Sequence, residues 1–176
     1  MPATSTPTPP GSSSPVVRRA RPDELDAVGD LTAEAYVGAG VLAPGAGYLD
    51  FLRDAAHRDR EAEVWVALDG DRVVGTVTYV EPGSALVEVS GEDEAEMRSL
   101  AVDPAATGRG IGEILARHAV ELARQRGFAA IVLSSSTTMH AARRLYERLG
   151  FTRLPERDWV PVPEVQLLVY RLPLTG

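Results

Sequence analysis

Hydrophobic residues fall along this chain in two rhythms, and the alternation between them predicts a mixed architecture. Short runs rich in β-branched and aromatic residues predict strands at 16–20, 63–68, 72–80, 95–102, 129–133, 151–154 and 165–172. Apolar residues recurring every three or four positions predict helices. Leu25, Val28, Leu31, Ala35 and Tyr36 form one apolar side, behind Pro22, Asp23 and Glu24, which suit a first helical turn. Ile111, Ile114, Leu115, Ala119 and Leu122 form another, ending at Gly127 as a left-handed cap. A short helix is predicted from Tyr48 to about His57, after a Gly/Pro/Ala-rich loop over 38–47. A last helix, capped by Thr137 or Thr138, stops at Gly150. Asp69-Gly70-Asp71 joins two strands as an antiparallel hairpin, whereas strand, helix, strand from 95 to 133 needs a crossover and makes those strands parallel. The expected fold is a single-domain mixed α+β structure: a central mixed, mostly antiparallel sheet with helices on both faces.

The stretch 99–113 runs an apolar strand into a glycine-spaced turn that opens directly into a helix. Gly108, Gly110 and Gly112 permit close backbone approaches, so successive N–H groups can face one concavity. The unsatisfied first-turn N–H groups of Ile111, Gly112 and Glu113, at the positive end of the helix dipole, favour a diphosphate. This is not a nucleotide-hydrolase P-loop, because no Gly-Lys-Ser/Thr follows and the chain has no lysine. A dinucleotide-binding turn would be Gly-x-Gly-x-x-Gly near the first strand, and this one lies past the middle of the chain.

The segment from Glu96 to Phe151 resembles the GNAT superfamily of acyl-coenzyme A dependent N-acyltransferases. Thr107-Gly108-Arg109-Gly110-Ile111-Gly112, after Leu100-Ala101-Val102-Asp103-Pro104, is similar to the family's Arg/Gln-x-x-Gly-x-Gly/Ala, with Thr107 in the Arg/Gln place. The run 142–151, with Leu145-Tyr146 and Gly150-Phe151, is similar to its Ala-x-x-Leu-Tyr-x-x-x-Gly-Phe, and Met139 stands where many members carry Asn. The resemblance implies a GNAT-like domain over 16–172 and acetyl-CoA as cofactor. It implies that Leu100, Ala101 and Val102 hold the pantetheine arm through their backbone between two splayed parallel strands. It also implies Tyr146 as proton donor to the leaving thiolate and Glu96 as the base that takes the amine proton through water. Acyl transfer by direct attack needs no covalent enzyme intermediate, so a chain without cysteine can perform it. The implied activity is N-acetyl transfer to a primary amine of a small molecule or peptide. The alternative is a non-catalytic acyl-CoA sensor or interaction module.

Composition narrows the choice. With 176 residues, 44% of them hydrophobic, the chain can build one sizeable core, and no apolar run is long enough to cross a bilayer. Zero cysteines exclude disulfides and thiolate metal sites, and the three scattered histidines give no metal-ligand spacing. Residues 1–15 are Pro/Ser/Thr-rich without a charged side chain, which predicts a disordered tail, no signal peptide and a cytoplasmic location. The net charge of -7 argues against a nucleic-acid partner. It hides an asymmetry: residues 105–153 carry eight arginines against three glutamates, and the rest is strongly acidic. The basic part suits an anionic cofactor, the acidic part a cationic amine, and a homodimer is compatible with both.

Among side chains, Arg109 and Arg143 are candidate phosphate partners because guanidinium groups bind phosphate in bidentate fashion. By simple strand alternation Glu96 shares a face with Arg98, Leu100 and Val102, unless a bulge resets the parity. Trp159, Trp65 and Tyr79 are candidates for an acceptor wall, though an aromatic residue on a strand is more often core.

Overall fold

The computed structural model describes residues 14–163 and 165–174, so nearly all of the expected tail lies outside the described residues. The chain forms β1 (Val16–Arg19), α1 (Leu25–Gly38), α2 (Tyr48–Arg53), α3 (Ala55–Glu61), β2 (Glu63–Asp69), β3 (Arg72–Val80) and β4 (Glu94–Val102). It continues through α4 (Ile111–Gln125), β5 (Ala130–Ser136), α5 (His140–Arg148), β6 (Thr152–Arg153), β7 (Trp159–Val162) and β8 (Val165–Pro173). The sheet order is β1-β2-β3-β4-β5-β8-β6, with β7 also on β8. Every neighbouring pair is antiparallel except β4 and β5, the pair joined by the α4 crossover.

Helices cover both faces. On one, Ile111, Leu115 and Ala119 of α4 and Leu145 and Tyr146 of α5 pack with Val77, Tyr79, Met97 and Ile131 of the sheet. Full burial of Ile111 and Leu115 contributes about 1.5–3 kcal/mol each. A Cβ at Gly75 of β3 would come within 2.7 Å of Ile111 and 2.9 Å of Leu115, so a glycine there lets the start of α4 lie directly on the sheet. On the other face, Leu25 and Val28 of α1 and Ala55 of α3 cover Val64, Val66 and Leu68 of β2. The acids and proline at 22–24 form a separate 3-10 turn before α1, in which Glu24 bonds both Arg18 and the Arg21 N–H.

Several expected elements change. The helix expected from Tyr48 to His57 is two helices, because Asp54 leaves helical geometry and its carboxylate caps α3 by accepting from the His57 N–H at 2.8 Å. Neither Thr137 nor Thr138 caps α5: Met139 is the N-cap, and the Thr138 hydroxyl is 3.0 Å from Ser136 Oγ. The strand expected at 151–154 shrinks to two paired residues. The connection expected between the last strands contains β7, which pairs with β8 despite Pro161, at an edge where a missing N–H costs little.

Candidate functional site

The parallel pair at the centre of the sheet comes apart. β4 pairs with β5 only from Glu94 to Met97, against Ala130 to Leu133. β5 then runs on to Ser136 along β8, while β4 runs on to Val102 along β3. Thr76 faces Ala101 and Thr78 faces Arg98, so β4 holds one residue more than β3 between these pairs. That β-bulge contains Ser99, whose φ of 50° is the only positive value among the described non-glycine residues. From Arg98 to Val102 the edge of β4 facing β5 therefore has no strand partner. The bulge also resets the alternation: Leu100 and Val102 join Ala95 and Met97 on the α4 side, so Glu96 does not share their face.

Beside this gap lies the glycine turn. Gly108 and Gly110 have φ values of 81° and 76°, and a Cβ at either would meet nothing within 4 Å. Gly110 is the N-cap of α4 and supplies no side-chain cap, so the first-turn N–H groups of the helix open onto an uncrowded backbone concavity. Thr107 and Arg109 are exposed on the same turn. Arg109 is engaged with Asp69 at 2.7 Å, and Glu113 is engaged with Arg117 at 2.8 Å and Arg148 at 3.7 Å. These residues fit an anion held by backbone donors. Arg143, at the start of α5, donates to His140 Nδ1 at 2.6 Å while its buried Nε has no partner.

Behind the gap, on the face of α1 and α2, is a cavity of about 130 Å³. Glu96 is fully buried on its wall. One carboxylate oxygen, Oε2, accepts from the N–H groups of Glu88, Val89 and Ser90, each at 3.1 Å. The other, Oε1, is buried without a partner. Arg98, two residues on, is bound by Glu88 at 2.5 Å, by the Leu86 carbonyl at 2.6 Å and by the Tyr48 hydroxyl at 3.3 Å. Burial pushes the Glu88 carboxyl up; Arg98 pulls it down and Glu96 pushes it up again, with a net rise.

Tyr146 approaches from the opposite face. Its ring packs against Phe151 and Tyr170 at centroid distances of 5.9 and 6.3 Å. Burial pushes the phenol well above its ordinary range, and Tyr36, on the cavity wall, adds to the rise, so the hydroxyl keeps its proton at neutral pH. Tyr146 and Glu96 thus do not share one cavity. Met97 connects them, packing in the same cluster as Tyr146 and lining the cavity with Glu96.

A family model described as the acetyltransferase (GNAT) family matches residues 26–151. The chain belongs to the GNAT acetyltransferase family. Among curated GNAT relatives it is 33% identical over 99 residues to N-acetylaspartate synthetase of Danio rerio, covering 56% of this chain and 33% of that one. It is 36% identical over 97 residues to N-acetyltransferase 8B of Rattus norvegicus, covering 54% of this chain and 41% of that one. The chain thus spans well under half the length of these two relatives. Of solved structures, yncA of Salmonella typhimurium with its cofactor acetyl-CoA superposes with a TM-score of 0.71 at 20% identity, over 93% of this chain and 96% of that one. A GCN5-related N-acetyltransferase from Kribbella flavida gives 0.66 at 26% identity, over 92% and 98%.

Around the GNAT motifs, the other aromatic candidates divide. Trp159 lines the cavity, its Nε1 donating to Ser134 Oγ at 3.1 Å. Trp65 instead packs on His118 at 4.2 Å, and Tyr79 is buried core under Arg126. Burial lowers the His118 pKa and keeps the ring neutral beside Trp65. No group of His, Asp or Glu among the described residues could hold a metal ion, and no described helix is long and apolar enough to cross a membrane. Sequence reasoning missed the cavity's Glu88, Arg98 and Tyr36. A signal for Arg98 was present: Glu94, Glu96 and Arg98 alternate along an otherwise apolar central strand, which places three charges on one face.

Proposed function

We propose that this GNAT chain is an N-acetyltransferase that moves the acetyl group of acetyl-CoA to a primary amine of a small molecule or peptide. Acetyl-CoA supplies an acetyl thioester: the amine nitrogen bonds the acetyl carbon, the carbon–sulfur bond breaks, and the products are an N-acetyl amine and coenzyme A. The residues that would hold it are Gly108, Arg109, Gly110, Ile111, Gly112 and Glu113 through the backbone of the turn and first helical turn. The free edge of β4 at Leu100, Ala101 and Val102 would bind the pantetheine amides as an added strand. Thr107 lies in the turn itself, and Arg143 lies on α5, whose Leu145 and Arg148 meet Gly112 and Glu113 at the start of α4, so both would add side-chain contacts.

The observation that carries this reading is the buried, unpartnered Oε1 of Glu96 on the cavity wall. A buried acceptor without a donor is costly, and an ammonium or a water beside it removes that cost. Glu96 then accepts the proton that the amine must lose before it attacks, directly or through water. From the other face, the Tyr146 hydroxyl, kept protonated by burial, donates to the departing sulfur. An assay of free thiol released from acetyl-CoA in the presence of primary amines tests the reading. Amine-dependent thiol release with matching N-acetyl product is expected; tight acetyl-CoA binding with no product from any amine would instead make the chain a sensor of acyl-CoA.

A further inference from the structure

The charges around the cavity form a closed account with one charge left over. Glu94, at the start of β4, is held by Arg157 at 2.5 Å and Arg171 at 2.7 Å. Arg98 is charge-paired with Glu88 and also bonded to a backbone carbonyl and a tyrosine hydroxyl, and its side chain is only 9% exposed. Among the described carboxylates, Glu96 alone keeps a buried oxygen without a donor. The rest of the wall is mainly apolar or aromatic: Leu42, Met97, Trp159, Val165 and Leu167 line it, with Tyr48 and Val162 partly open to solvent.

Resting on the acetyltransferase reading above, we infer that the acceptor is a hydrophobic monoamine: one ammonium group beside Glu96, an apolar or aromatic body in the cavity, and no carboxylate. A second ammonium, as in a diamine, would be buried against apolar wall without a counter-charge. A carboxylate, as in an amino acid, would lie near Glu96 and Glu88 with no free cation among the described lining residues, because the one arginine there is already paired with Glu88. Glu88 is thereby a specificity-determining residue: it neutralises Arg98 and so removes the group that would otherwise recognise an acid. The acceptor differs in class from aspartate, whose N-acetyl derivative names one curated relative.

Matched pairs of amines test this. For the unmodified protein, kcat/KM for phenethylamine should exceed that for phenylalanine, which differs only by a carboxylate, by about 100-fold. Butylamine should exceed 1,4-diaminobutane by a similar factor. Glu88→Gln removes the negative charge facing Arg98 and should narrow the phenethylamine to phenylalanine ratio by about tenfold, without loss of acetyl-CoA affinity. Equal or reversed preference in either pair overturns the inference, as does an unchanged ratio in a folded Glu88→Gln protein. Ligand-observed NMR of phenethylamine and phenylalanine binding, without acetyl-CoA, reads the cavity independently of turnover. Selective phenethylamine binding without turnover would uphold the cavity's preference and remove the catalytic reading, whereas turnover that favours phenylalanine would do the reverse.

Discussion

The turn between β4 and α4 obtains its shape from backbone in one short stretch, whereas the cavity behind Glu96 gathers side chains from α1, α2, the 81–93 connection, β4, β5, β7 and β8. The first is local and tolerant: Gly108 and Gly110 need only their positive φ values and open space. The second depends on pairing between elements that are separate in sequence. Within it, Arg98 meets the Tyr48 hydroxyl across 50 positions and the Trp159 indole reaches Ser134 across 25. A backbone site can therefore serve many proteins with one donor, while a side-chain site can differ in each.

The largest expected effect tests the backbone side. Gly110→Val should weaken acetyl-CoA binding by about 100-fold or more, because its side chain fills the concavity and strains a left-handed residue. Gly127→Val is the matched control, since Gly127 also has a positive φ of 79° and open space, at the other end of the α4 helix. It should lose about 1–2 kcal/mol of stability and keep its affinity. Equal loss of affinity in both variants by calorimetry would show that strain, and not the cradle, was responsible.

On the side-chain part, Tyr146→Phe should lower turnover by about 100-fold, because a proton donor to the leaving sulfur is lost while ring packing remains. Its melting temperature should stay within a degree or two of the parent. Glu96→Gln should lower turnover by about tenfold or more near neutral pH, with a deficit that shrinks as pH rises and more of the amine is already deprotonated. A deficit constant from neutral to alkaline pH would assign Glu96 to positioning instead. The smallest effect is expected from Arg109→Ala, about fivefold or less on acetyl-CoA affinity, because its exposed guanidinium is spent on Asp69 and backbone donors persist.

What could be read from the sequence follows the same division. The glycine turn, the α4 periodicity and the β4–α4–β5 crossover lie in contiguous residues whose physics is local, and each appears where expected. The bulge at Ser99 is set by how β3, β4 and β5 compete for partners, so simple alternation placed Glu96 on the wrong side relative to Leu100 and Val102. The β7 strand was hidden by prolines at 155, 161 and 163, which read as a loop until β8 offers an edge. Glu88 sits in a Gly- and acid-rich connection with no periodicity, and only its N–H to Glu96 and its carboxylate to Arg98 give it a place in the site.

Calorimetric titration of acetyl-CoA into the parent, Tyr146→Phe and Glu96→Gln proteins, run beside steady-state turnover on the same samples, separates the backbone-built and side-chain-built halves most directly. Both variants should bind acetyl-CoA within about twofold of the parent while turnover falls by about tenfold or more. Affinity falling in step with turnover, or turnover unchanged in both variants, would contradict the account.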